Sequence, residues 1–116
     1  MSTEIVRPDV SIDMAAIGRQ IRDGLATAFP PEEERVRQVL ALAEEAGEFV
    51  QAARRFLGLA RRMGTFEAVE NELADVILAA YVAAATFGID IDAVIARTVE
   101  RVMTREWREN GNGEGV

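Results

Sequence analysis

The sequence of 116 residues contains no cysteine, no histidine and no lysine. Without cysteine the chain has no disulfide framework, no thiolate nucleophile and no thiolate metal site. Without histidine it lacks Ser-His and Cys-His catalytic sets, histidine-ligated zinc and the Glu-x-x-His repeats of di-iron bundles. Oxygen ligation remains for a metal, and the 20 acidic side chains make Mg²⁺, Mn²⁺ or Ca²⁺ the natural ions.

The charge and the hydropathy pattern exclude several kinds of partner. The formal net charge is -7, which disfavours nonspecific binding to nucleic acid or to anionic membranes. The longest apolar stretch, Leu73–Phe87, has 15 residues and contains Asp75, so it is too short to span a bilayer. No basic segment followed by an apolar one opens the sequence, so we expect no signal peptide and a cytoplasmic location.

Apolar residues recur at helical spacing in four segments, and no segment keeps the period of two that is typical of strands. Capping residues give the limits of the predicted helices. The starts are at Asp9 or Ser11, at Pro31, at Thr65 and at Asp90 or Asp92; the ends are at Phe29–Pro31, at Gly58 or Gly64, at Gly88 and at about Trp107. The predicted fold is therefore an all-α bundle of about four helices in one domain over residues 9–109. Residues 1–8 are predicted to be a flexible lead-in and residues 110–116 a disordered tail.

The second helix carries two apolar stripes rather than one. Its core face is predicted to include Val39 and Val50, and a second stripe of Leu42, Phe49 and Phe56 lies roughly 80° around the helix. A helix that is apolar on two sides must pack on two sides. The second stripe therefore predicts that the chain associates with a partner surface.

Two pairs of acidic residues stand out because of their apolar neighbours. Glu45 and Glu48 are three residues apart on the second helix, and Glu72 and Asp75 have the same spacing on the third. Asp75 is the only acid in a segment that is apolar nearly all round, so we expect it to be buried and to have a cationic partner. Two antiparallel helices would bring the pairs together around a divalent ion.

Other interpretations of these acids remain open. An acidic pair at this spacing is common on solvated helix surfaces, and Glu44 is either a further ligand or a surface charge. Asp75 could be neutralised by Arg54, by Arg55 or by an arginine of the fourth helix instead of a metal.

A stripe of arginines follows the fourth helix at a spacing of four residues. It consists of Arg97, Arg101 and Arg105. Like charges at this spacing destabilise a helix mildly unless they face negative groups. Their partners are either acidic residues of this chain or a bound polyphosphate, which arginine side chains hold well.

The acidic residues also match a known pattern. The segments Glu44–Glu48 (EEAGE) and Glu72–Val76 (ELADV), separated by 23 residues, resemble the EExxE…ExxD signature of the all-α nucleotide pyrophosphohydrolases. The nearest group is the MazG-like family, which is itself similar to dCTP pyrophosphatases and dimeric dUTPases. The resemblance covers about residues 34–107.

This resemblance implies a function and a site. Family members cleave nucleoside triphosphates between the α and β phosphates. The resemblance also implies that four acids bind Mg²⁺, or Mn²⁺, and that Glu44 assists them. These four are Glu45, Glu48, Glu72 and Asp75, and Glu45 is the candidate to orient or deprotonate the attacking water. Many relatives carry a Lys and an Asn on the last helix near the substrate phosphates, where this chain has Arg97 and Arg101.

The resemblance further implies a homodimer or homotetramer, since short members build their active site between paired helices. The predicted function is Mg²⁺-dependent hydrolysis of (d)NTP to (d)NMP and pyrophosphate, as in the removal of noncanonical or surplus nucleotides. Two alternatives are a phosphoribosyl-ATP pyrophosphohydrolase-like enzyme and a non-catalytic helical oligomer that serves as a scaffold or binds a partner.

Overall fold

The structure of the protein is a computed structural model that describes residues 11–105. Within that range the chain forms four α-helices and no strand, which confirms the predicted all-α class. The helices are α1 (Met14–Leu25), α2 (Pro31–Phe56), α3 (Phe66–Thr86) and α4 (Ile91–Met103). The lead-in predicted at 1–8 and the tail predicted at 110–116 lie outside the described residues.

Local side-chain caps decide where three of the helices begin. Each capping side chain accepts a hydrogen bond from the N–H three residues further along: Asp13 from Ala16, Thr65 from Ala68 and Asp90 from Ala93. The cap of α1 corrects the predicted starts at Asp9 and Ser11, because Asp13 stands directly before the first helical residue. For α4, Asp90 is the cap rather than Asp92. The first residue of α2 is Pro31, as predicted.

Two glycines in the left-handed conformation end α2 and α3. Gly58 has a φ of 75° and Gly88 a φ of 70°. In each case the N–H of the next residue bonds to the carbonyl five residues earlier, which closes the helix end. Gly58 rather than Gly64 therefore terminates α2. The fourth helix ends at Met103, before the predicted limit at about Trp107.

The helices α2 and α3 form an antiparallel hairpin, and α1 packs along α3. The rings of Phe56 and Phe66 lie 5.4 Å apart between centroids where the hairpin turns. On the other side, Gly18 lies against Tyr81, and Arg22 donates a hydrogen bond of 3.3 Å to a carbonyl one turn further along α3. The second contact lies one turn closer to the C-terminal end than the first on both helices, so α1 runs in the same direction as α3.

The single chain buries few apolar side chains. Those buried are small or β-branched: Ala52, Val82, Ala84 and Ala85. No residue of α4 is buried, and α4 turns away from α3 by 117°. Three helices therefore pack together, while α4 leaves Ile95, Val99 and Met103 exposed.

The exposed face of α2 corrects the predicted core. Val39 and Val50, assigned to the core face from their spacing, are 51% and 54% exposed. Leu42 and Phe49 of the second stripe are instead half-buried. On α3, Leu73 and Ile77 recur at helical spacing within the apolar segment and are likewise 44% and 48% exposed. Helical spacing finds apolar faces, but it does not say which face the same chain covers.

No single helix in residues 11–105 has the length and hydropathy needed to cross a membrane. The helices α3 and α4 meet the length and composition criteria together only as a sharply bent pair.

Candidate metal centre

The antiparallel hairpin aligns the acidic pair of α2 with the acidic pair of α3. Glu48 and Glu72 line one cavity, and Glu45 and Asp75 line the next one along the interface. A spacing of three residues puts both members of each pair on one helix face. The predicted meeting of the two pairs between antiparallel helices is therefore present.

Three of these carboxylates converge closely enough to hold one ion. Glu45, Glu72 and Asp75 each offer an oxygen, and these atoms all lie within 4.8 Å of one another. The Oε2 atoms of Glu45 and Glu72 are buried and have no hydrogen-bond partner. Buried acceptors are normally paired, so two such atoms in one cluster fit a cation.

No arginine of residues 11–105 is a counterion of the cluster. Within residues 11–105 the ion pairs join Arg22 with Asp23 and Arg37 with Glu34, and none reaches the clustered acids. Among these residues, neither Arg54 nor Arg55 nor an arginine of α4 forms the ion pair with Asp75 that the alternative interpretation requires. Asp75 itself is exposed, which corrects its expected burial.

Crowding and burial disfavour full ionisation of the cluster. Partial burial, then the charges of Glu48 and Asp75, raise the pKa of Glu45 above its usual value. The same causes in the same order raise the pKa of Glu72. Like charges and desolvation both destabilise an ionised carboxylate, and a divalent cation would reverse both effects. An all-oxygen donor set of this kind suits Mg²⁺ or Mn²⁺.

Two of the predicted ligands stand outside the tight cluster. Glu48 is exposed and is not among the three converging carboxylates, although its charge acts on both Glu45 and Glu72. Glu44 is exposed as well.

Two of the predicted phosphate-binding arginines, Arg97 and Arg101, lie on α4, whereas Arg105 lies two residues beyond its last residue, Met103, which corrects its predicted place on the helix. Arg97 and Arg101 are exposed, and Arg105 is half-buried. None of the three forms an ion pair within 4 Å among residues 11–105. The single chain does not join them to the acidic cluster.

A buried polar pair on α2 was not predicted from the sequence. Gln38 and Glu34 are 8% and 4% exposed, and Gln38 lines the same cavity as Glu45 and Asp75. The available signal was spacing, because Gln38 precedes Glu45 by seven residues and so lies on the same helix face.

Comparison with known proteins places the chain in a family. The sequence matches the model of the MazG nucleotide pyrophosphohydrolase domain over residues 34–108. The chain belongs to the MazG family. The matched region includes all five acidic residues singled out from the sequence and the α4 arginines. No curated protein and no solved structure gave a significant match.

Proposed function

We propose that this MazG-family protein is a Mg²⁺-dependent nucleoside triphosphate pyrophosphohydrolase, which converts a (d)NTP and water into a (d)NMP and pyrophosphate. One observation carries the proposal. Glu45, Glu72 and Asp75 converge across the α2–α3 interface with no arginine counterion in residues 11–105. Membership of a nucleotide pyrophosphohydrolase family supports the same class of reaction.

The converging acids would hold the metal. Glu45, Glu72 and Asp75 supply the closest oxygens, Glu48 adds a fourth carboxylate, and Glu44 assists from the solvent side. When bound, Mg²⁺ or Mn²⁺ offsets the negative charge of the triphosphate and makes the phosphorus more electrophilic.

Glu45 is the proposed group that orients the attacking water and takes its proton. Its Oε2 is buried and has no hydrogen-bond partner, so this oxygen is free to accept a proton from a bound water. The water oxygen bonds to the α-phosphorus while the bond to the oxygen bridging the α and β phosphates breaks. The bridging oxygen leaves with the electron pair as part of pyrophosphate.

The arginines of α4 are proposed to hold the substrate phosphates. Arg97 and Arg101 lie one turn apart on α4, Arg105 lies just beyond the end of the helix, and guanidinium groups bind phosphate oxygens through paired hydrogen bonds. The helix α4 has no buried residue, so its own chain does not cover it. We therefore propose a homodimer or homotetramer in which α4 packs against another copy and its arginines reach a shared active site.

The test is pyrophosphate release from a panel of canonical and modified (d)NTPs, with Mg²⁺, with Mn²⁺ and with EDTA. We expect metal-dependent release together with the matching monophosphate. The substrate preferred within the panel tests the proposed role in removing noncanonical or surplus nucleotides.

A pair of neighbouring variants on α3 makes this test specific. Glu72→Gln should abolish release, whereas Glu70→Gln on the exposed side of the same helix should retain it. Silence of the folded wild type across the panel would refute the proposal and favour a non-catalytic scaffold. Full activity of Glu72→Gln or Asp75→Asn would refute the assigned ligands.

A further inference from the structure

A cleft between α1, α2 and α3 continues from the acidic cluster into apolar surroundings. Its volume is about 280 Å³, and its polar lining consists of Glu45 and Asp75 at one end and Gln38 at the other. Apolar residues such as Ile21, Leu25 and Leu78 line the space between. Gln38 and Glu45 are two helical turns apart, about 10.5 Å along α2.

The amide of Gln38 is held in one orientation by its neighbour. Nε2 of Gln38 donates a hydrogen bond of 2.7 Å to Oε1 of Glu34, and both side chains are buried. Because a carboxylate oxygen accepts, the nitrogen side of the amide must face Glu34. The second N–H and Oε1 of Gln38 keep their capacity for one donor and one acceptor bond to another molecule.

The other oxygen of Glu34, Oε2, makes no hydrogen bond but has a cationic neighbour. Nε of Arg37 lies 4.0 Å from Oε2 of Glu34, and the guanidinium of Arg37 stacks 3.8 Å from the centre of the Phe29 ring. Burying a carboxylate and an amide beside an apolar cleft costs free energy that a solvent-exposed pair would not cost. A fixed polar pair at that position is consistent with recognition of a polar edge on a bound group.

The geometry points to the cleft as the subsite for the nucleobase, with Gln38 binding the edge of the base and Glu34 as its positioning residue. A base has apolar faces that suit the lining and an edge on which donors and acceptors are adjacent. A glutamine amide pairs with such an edge through two hydrogen bonds. The ribose then spans the distance between the base and phosphates held at the acidic end. This inference rests on the proposed function, because it assigns the rest of the same substrate.

The experiment measures equilibrium binding without turnover. Calorimetry with Mg²⁺ would give the Kd of α,β-methylene nucleoside triphosphates that carry each base, and of inorganic tripolyphosphate, which has no base. The variants are Gln38→Leu, Gln38→Glu and Glu34→Gln. Gln20→Leu is the matched control, since Gln20 is exposed on α1.

We expect the wild type and Gln20→Leu to prefer one base. Gln38→Leu should weaken binding of that base by roughly ten- to hundredfold and leave binding of tripolyphosphate unchanged. Glu34→Gln should produce a smaller loss of the same kind, because the amide of Gln38 is then free to flip. Gln38→Glu keeps the size and polarity of the side chain but removes the donor, so it should also reduce the preference.

The outcomes separate the inference from the proposed function. Wild-type binding with a base preference that survives both Gln38 variants overturns the inference alone. Wild-type hydrolysis and binding without any base preference also overturns it, as expected if a side chain of a second copy fills the cleft. Failure of the wild type to bind either tripolyphosphate or any nucleotide overturns the proposed function and the inference together.

Discussion

Glu45 of α2 and Asp75 of α3 approach each other across an antiparallel helix pair, with carboxylate oxygens within 4.8 Å, and no arginine of residues 11–105 forms an ion pair with either. Two negative groups at such a distance repel each other unless a cation or a proton intervenes. The raised pKa of Glu45 means that, without a cation, this carboxylate takes up a proton more readily than an isolated glutamate does.

Addition of Mg²⁺ should therefore stabilise the protein at neutral pH. A ligand that binds only the folded state stabilises it in proportion to the logarithm of its concentration over Kd. We expect the Tm to rise by about 5 °C or more at saturating Mg²⁺ and to return to its starting value with EDTA. Glu72→Gln should lose most of this shift and Glu70→Gln should keep it. An unchanged wild-type Tm with Mg²⁺ and with Mn²⁺ would argue against a metal centre.

Without metal, the stability contributed by Glu45 should fall as the pH rises. Its pKa in the folded state is raised above 4.5, so the folded state binds more protons than the unfolded state above that pH. Glu45→Gln removes the ionisable group. The free energy of unfolding of this variant should therefore rise relative to that of the wild type as the pH increases from about 4.5 to 7. Urea titrations in EDTA at several pH values would measure the difference.

The matched control for this pH series is Glu70→Gln, since Glu70 is exposed on α3. Its free energy of unfolding should run parallel to that of the wild type. A free energy of unfolding of Glu45→Gln that falls relative to that of the wild type as the pH rises would contradict the assigned direction.

The start of α2, both limits of α3 and the meeting of the acids could be predicted because they depend on local geometry. Pro31, Thr65 and Gly88 act on residues within one helical turn. Likewise, the acids of α2 and α3 meet because each pair lies on one helix face and a short connection makes the helices antiparallel. Sequence spacing alone contains this information.

The covered and uncovered faces could not be predicted, because they depend on what packs against each helix. Val39 and Leu42 lie on two apolar faces of α2, and only contact with α3 decides that Leu42 is the more buried. Asp75 was expected to be buried for the same reason, since an apolar sequence around it does not show whether the chain itself covers that surface. The burial of Gln38 and Glu34 could not be predicted, because glutamine and glutamate on a helix are usually solvated.

The close approach of α1 to α3 gives a test of the packing. A Cβ added at Gly18 would lie 2.7 Å from the backbone carbonyl oxygen of Tyr81, which cannot move without displacing α3. We expect Gly18→Ala to destabilise the protein by about 1–3 kcal/mol, as measured by urea unfolding. Gly24→Ala is the control on the same helix, because a Cβ there meets nothing within 4 Å. It should be neutral or stabilising, by up to about 1 kcal/mol.

The exposed apolar face of α2 predicts self-association that a single charge should disrupt. Val39 and Leu40 are 51% and 62% exposed, and they line a largely apolar cavity together with Phe87. A patch of this kind marks an interaction surface, and burying a carboxylate in it without a partner is costly. Light scattering coupled to gel filtration should find a dimer or tetramer for the wild type and for Val39→Ile, which keeps the face apolar. Val39→Glu should shift the mass towards the monomer. A monomeric wild type at micromolar concentration would refute the proposed homo-oligomer and leave the α4 arginines without a route to a shared site.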